Sequence, residues 1–256
     1  MLRSFKAYKI VRAIFLFPVF LFVLSFLNSQ SGNTVYTSPL SVLSTIKEKV
    51  ISNEEVISFN VKWVDDLKLV LPCKGINVPK RAMRLPNAPR DYRNGIHRGI
   101  DFFANWGTPI RAVADGIVIR SDLHYEEVPA DFRENVLKSS AKVGKTPSDI
   151  FNSVLLGQAV FLDHGFNLIP GFRVISIYAH LSSIDNDMKP GRLVKSGEVF
   201  ANSGNSGVKE STLGSRAGAH LHWELILQRD KDEIFLGKGV PNPELYDMLS
   251  SIFSNS

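Results

Sequence analysis

Two histidines, His220 and His222, stand one residue apart in the stretch AHLHWEL, in a chain of 256 residues that contains six histidines in all. Side chains at i and i+2 share a face of a β-strand, whereas in a helix they would lie about 200° apart. HLHWELIL is rich in strand formers, so His220 and His222 are expected side by side on one face, with Leu221 and Trp223 on the other. Two imidazoles facing a dry interior are costly unless something occupies them, and a metal ion would do so. A second candidate is HRGIDFF, in which His97 and Asp101 form an HxxxD pattern. That spacing would suit a helix, but Gly95, Gly99 and Phe102-Phe103 argue for a loop running into a strand. A catalytic zinc site takes three nitrogen or oxygen ligands at about 2.0–2.2 Å and leaves a position for water. His97, Asp101 and one of His220 and His222 would complete such a set; spacing leaves open which one. His180, at the end of the strand-like RVISIYAHLS, is the remaining candidate.

The elements that must position these residues read as short strands. GIDFF, PIRAVADGIVIRS, QAVFLDHG, RVISIYAHLS, GRLVKSGEVFANSG and HLHWELIL are apolar runs separated by Gly, Pro, Asn and Asp, which predicts a mainly β fold, an antiparallel sandwich or open barrel. The span 121–157 breaks the pattern. ADFRENVLKSSAK has helical spacing, and TPSD, with Pro147 at the first helical position, predicts a second helical start running to Gly157. A helical insertion between two strands is therefore expected. Residues 29–70 read as a tether followed by N-terminal strands, 71–93 as an irregular loop, and 241–256 as a C-terminal tail.

With these motifs assembled, the chain from about Leu71 to Leu227, within a domain drawn as 71–240, resembles the lysostaphin-type zinc metallopeptidases, murein endopeptidases with the duplicated hybrid motif fold. The resemblance is carried by HRGIDFFANWGTPIRAVADGIVI, VFLDHG, VISIYAHLS, VKSGEVFANSGNSG and GAHLHWEL. It implies one Zn2+ held by His97, Asp101 and His222, with His180 and His220 as the catalytic pair, their separate roles undivided. It implies a peptidoglycan peptide as substrate. His164 of FLDHG reads as structural, and His124, inside the insertion, as a surface residue. Two departures stand out: the long insertion 121–157, which bears on substrate range, and the stretched approach GNSGVKESTLGSRAGAHLHWEL to the paired histidines, which bears on the rim of the groove.

The remaining features set location. Arg3, Lys6, Lys9 and Arg12 precede the apolar run AIFLFPVFLFVLSFL, so residues 1–28 predict a hydrophobic helix that exports the chain. An uncleaved membrane anchor at the periplasmic or outer side of the envelope is favoured, with a cleaved signal and secretion as the other outcome. The formal charge of +5 suits anionic surroundings but comes without a basic-aromatic stripe, so no nucleic-acid partner is expected. Cys73, the single cysteine, reads as a buried small hydrophobe. Two alternatives to a murein peptidase remain: an inactive envelope scaffold or hydrolase activator of the same fold, and a peptidase acting on protein.

Overall fold

The computed structural model describes residues 58–253. The expected N-terminal hydrophobic helix lies outside the described residues, and among the described residues no helix is long and apolar enough to cross a membrane. The strands are β1 (Pro89–Arg90), β2 (Gly95–Ile96), β3 (Ile100–Phe102), β4 (Pro109–Arg111), β5 (Gly116–Ser121), β6 (Val160–Asp163), β7 (Arg173–Ala179), β8 (Leu181–Ile184), β9 (Leu193–Val194), β10 (Val199–Ser203), β11 (Leu221–Arg229) and β12 (Asp232–Phe235). Their pairings are antiparallel. The largest sheet runs β12-β11-β7-β6-β5-β9, a smaller one runs β4-β10-β8, and β1 pairs with β2. These are open sheets with free ends, so the barrel half of the expectation gives way to layered antiparallel sheets.

β11 is the spine of the site. β7 lies along one of its flanks, while the other is shared end to end: β3 pairs with residues 221–223 and β12 with residues 226–229. Alternation then sorts the side chains. Leu221, Trp223, Leu225 and Leu227 of β11 join Val174 and Tyr178 of β7 and Ile100 and Phe102 of β3 in the main core. The opposite face carries His222, Glu224 and Ile226 of β11 and Ile175, Ile177 and Ala179 of β7. Gly99 lets β3 approach this closely, since a Cβ there would sit 2.3 Å from the Trp223 carbonyl oxygen.

The insertion forms helix α1 (Ala130–Val143), then a helical turn at Ser148–Ile150 that runs into a π-helical turn at Phe151–Leu155. Its Leu137, Val154, Leu155 and Leu156 pack on Ile175, Ile177, Ile226 and Phe235, forming a second core on the sheet's other face. The start of its second part differs from expectation. Pro147 is itself the N-cap, without a capping side chain, and the Thr146 hydroxyl donates instead to the Arg93 carbonyl at 2.8 Å.

At the edges of the fold, residues 58–70 contain a 3₁₀ turn at Val61–Val64 and no strand. Leu67, Leu69 and Leu71 do alternate into the core, but the backbone makes single bonds, Leu69 N to Ile252 O and Val70 N to Val113 O, rather than a ladder. Residues 241–253, expected as tail, carry helix α2 (Glu244–Ile252), whose Leu245, Leu249 and Ile252 pack into the main core. Phe253 meets Trp223 edge-on at 5.5 Å between ring centres.

Candidate metal centre and catalytic groove

Register brings the first two groups together. His222 is the cross-strand partner of Asp101 on β3 and of Ala179 on β7, and directly opposed residues project to the same face. His97 arrives from the β1-β2 hairpin, its backbone bonded to Ala88 and Asn87. His180 follows Ala179 and would point into the core if β7 continued. Instead it adopts φ +60°, a left-handed conformation on the order of 1–3 kcal/mol unfavourable for a non-glycine residue. The bonds His180 N to Leu156 O (2.9 Å) and His180 Nδ1 to Ser206 O (2.8 Å) hold it there.

Each of the four histidines has one ring nitrogen engaged outside the centre. Nδ1–H of His97 donates to the Leu85 carbonyl at 2.9 Å, that of His180 to Ser206, and that of His220 to Gly218 at 2.7 Å. Nε2–H of His222 donates to Glu224 at 2.8 Å. These bonds fix the tautomers, because a neutral imidazole that donates from one nitrogen presents a lone pair at the other. His97 Nε2 and His222 Nδ1 lie 3.0 Å apart, and each is within 2.9 Å of Asp101 Oδ1. Three acceptors so close repel one another unless a proton or a metal cation lies among them, and the carboxylates around His222 favour either.

The donor set fits zinc. Two imidazole nitrogens and a carboxylate oxygen are the first-choice oxygen and nitrogen ligands of this ion, and a tetrahedral centre would separate them by about 3.3 Å, a small expansion of the observed triangle. Among the described residues, His97, Asp101 and His222 form the one group with ligand atoms clustered as a metal requires. His220 stands back, with Nε2 3.6 Å from Asp101 Oδ1, and its ring centre is 4.7 Å from that of His180.

Electrostatics match this division. Burial disfavours charge on Asp101, but His97 and His222 hold its carboxyl well below the usual carboxylate range. Burial lowers the pKa of His97 and His220, and burial together with His220 and His222 lowers that of His180 well below the ordinary histidine value. For His222 burial also acts downward, yet Asp101 and Glu224 outweigh it and push the pKa up to about 9.

Several residues escaped the sequence reading. Glu224 is fully buried and paired with Arg98 at 2.9 Å, so it anchors the far side of His222. Its signal was present: it follows His220 and His222 at the same period of two. Arg90 bonds the second oxygen of Asp101 at 3.1 Å, brought there by the β1-β2 hairpin, for which no motif announces a role. The insertion reaches the site as well, with Phe151 under the Arg98 guanidinium at 4.4 Å and Arg133 lining the groove. The other histidines lie apart: His164 is buried between the Asp115 carbonyl and Ser176, and His124 is exposed. Cys73 is buried, and burial pushes its thiol up to about 12.

Residues 133–234 match the model of peptidase family M23. The match includes His180, His220 and His222 and begins inside α1, downstream of His97 and Asp101. No curated protein matches the chain. Among solved structures, the chain is similar to a zinc containing peptidase from Vibrio cholerae, at 20% identity and TM-score 0.33, over 70% of this chain and 39% of that one. It is similar to the catalytic domain of lysostaphin from Staphylococcus simulans, at 20% identity and TM-score 0.33, over 68% of this chain and 90% of that one. It is also similar to the catalytic domain of the prophage-encoded M23 protein EnpA from Enterococcus faecalis, at 20% identity and TM-score 0.34, over 70% and 92%. The chain therefore spans well under two thirds of the Vibrio protein.

Proposed function

We propose that this chain, identified with peptidase family M23 through residues 133–234, is a zinc-dependent endopeptidase that cuts peptide cross-links of peptidoglycan. The reading rests on one observation: three lone pairs, from His97, Asp101 and His222, converge within 3.0 Å while two further imidazoles stand beside them. His97, Asp101 and His222 would hold one zinc ion. Bound there, it supplies an activated water and a Lewis acid for the scissile carbonyl.

The chain's own groups do the rest. Glu224 and the Leu85 carbonyl keep the lone pairs of His222 and His97 turned inward. His180 and His220, kept neutral and each donating from Nδ1 to a backbone carbonyl, present Nε2 to the groove. From there they orient the water, stabilise the developing oxyanion and pass a proton to the leaving amine. The apolar run after Arg12 supports a place at the outer side of a membrane.

The test measures metal in the purified soluble domain and digests isolated peptidoglycan and a folded protein substrate in parallel, with products identified by mass spectrometry. Stoichiometric zinc with new amine and carboxyl ends in the cross-links is expected. Cleavage of the protein alone would move the substrate to the protein class, and a zinc-free protein that cuts neither would leave the scaffold reading.

A further inference from the structure

The insertion shapes the groove as well as covering the sheet. A cavity of about 170 Å³ at the histidines meets a larger one of about 670 Å³ between α1 and the turn Lys209–Thr212, and Tyr92, Arg133 and Val208 line both. The second cavity has the volume of a small-ligand or peptide subsite, with Leu137 and Leu213 among its walls.

Arg133 stands where the two cavities meet. Its Nε donates to the Gly207 carbonyl at 3.0 Å, which fixes the guanidinium plane; among the described residues its two terminal nitrogens make no hydrogen bond. Among the described residues it has no carboxylate partner, although Glu134 and Glu210 line the second cavity with it, as do Lys138 and Lys209. Glu134 pairs with Lys138 at 2.7 Å, and Glu127 accepts from Tyr125, Gly207 N and Ser211. The other two guanidinium groups of the catalytic cavity are also used within the fold: Arg90 on Asp101 at 3.1 Å, and Arg93 on the Ile96 carbonyl at 2.6 Å. A guanidinium fork held in a partly enclosed groove is matched by a carboxylate, which it binds through two parallel hydrogen bonds. A phosphate site would draw several cations onto one point, whereas Arg90 and Arg93 are turned to protein acceptors.

We infer that Arg133 is a specificity-determining residue that binds a carboxylate of the substrate where it passes from the catalytic cavity into the second one. The preferred substrate is therefore a peptide with a free carboxylate close to the cleaved bond. This rests on the peptidase reading above.

Two synthetic peptidoglycan stem peptides would test it, one with free side-chain carboxylates and one with them converted to carboxamides. Each is titrated against the zinc-loaded wild-type domain, Arg133→Gln and Arg133→Lys, with binding and cleavage followed separately. Wild type should bind the carboxylate form about tenfold to a hundredfold more tightly. Arg133→Gln should bring the ratio near one, and Arg133→Lys should keep part of it. A purely structural role would weaken both peptides alike and preserve the ratio. Equal binding of both peptides by wild type, or an undiminished ratio in Arg133→Gln, overturns the inference. Absence of cleavage with the binding preference intact would count against the peptidase reading and leave the carboxylate site standing.

Discussion

On β11, His222 and Trp223 are neighbours in sequence and face opposite sides of the same sheet. Trp223 lies against Phe253 in the main core, where any apolar group of the right shape would serve. His222 is as buried as its neighbour, but every polar atom of its ring is matched to a named partner: Asp101 and His97 on one side, Glu224 on the other. The core face is held by volume and the site face by direction. Along β7 and β11 the site face itself divides, because beyond Glu224 and Ala179 the insertion covers it with Leu137, Val154 and Leu155, and short of them it stays open as a groove.

The sharpest break of this comparison substitutes the neighbours one at a time. His222→Ala removes a ligand, so zinc measured after dialysis should fall from about one equivalent to near zero, and peptidase activity with it, while the sheet stays folded. Trp223→Ala should instead cost about 3–5 kcal/mol of stability through the cavity it leaves. Metal analysis and thermal melting followed by circular dichroism separate the two. If His222→Ala melts as early as Trp223→Ala, the site face is structural and the division of the sheet fails.

Within the site face, the imidazoles that converge with Asp101 should behave differently from those that stand back. His180→Ala and His220→Ala should keep near-stoichiometric zinc and lose turnover by about a hundredfold to ten-thousandfold, as expected for lost acid-base assistance. Zinc content and single-turnover rates on the same samples would show it. Loss of zinc in His220→Ala with retention in His222→Ala would invert the assignment.

Much of this division was legible in HLHWELIL, because a period of two sorts side chains by face wherever the strand lies. What joins that face to Asp101 was not, since the pairing spans 121 residues and depends on register that no local pattern states. The turn at His180 was equally silent: a left-handed conformation at a histidine has no glycine to announce it. Residues 58–70 show the reverse failure. Their alternation correctly describes burial of Leu67, Leu69 and Leu71, but burial by alternation does not require a partner strand. In TPSD the hydroxyl meant for a cap found the Arg93 carbonyl, a competitor supplied only by tertiary structure. Leu245, Leu249 and Ile252 did carry helical spacing, so α2 was readable in a segment taken for a tail.

The smallest expected effect tests whether direction on the site face is imposed from behind the ligands. Glu224 touches no metal position; it accepts from His222 Nε2 and is itself held by Arg98, whose guanidinium lies over Phe151 of the insertion. His222 and Arg98 keep it ionised against the cost of burial, so it both fixes the imidazole tautomer and raises the basicity of the opposite nitrogen. Glu224→Gln preserves shape and still offers an oxygen to His222, but removes the charge. Zinc affinity, measured by competition with a chelator, should weaken about tenfold to a hundredfold. The melting curve of the zinc-free protein separates this from general damage, because Arg98 is one-quarter exposed and can turn to solvent. Affinity within twofold of wild type would show that Asp101 and the Leu85 carbonyl set the geometry unaided. A loss confined to zinc binding would make the Arg98-Glu224 pair, and through Phe151 the insertion, part of what aims His222.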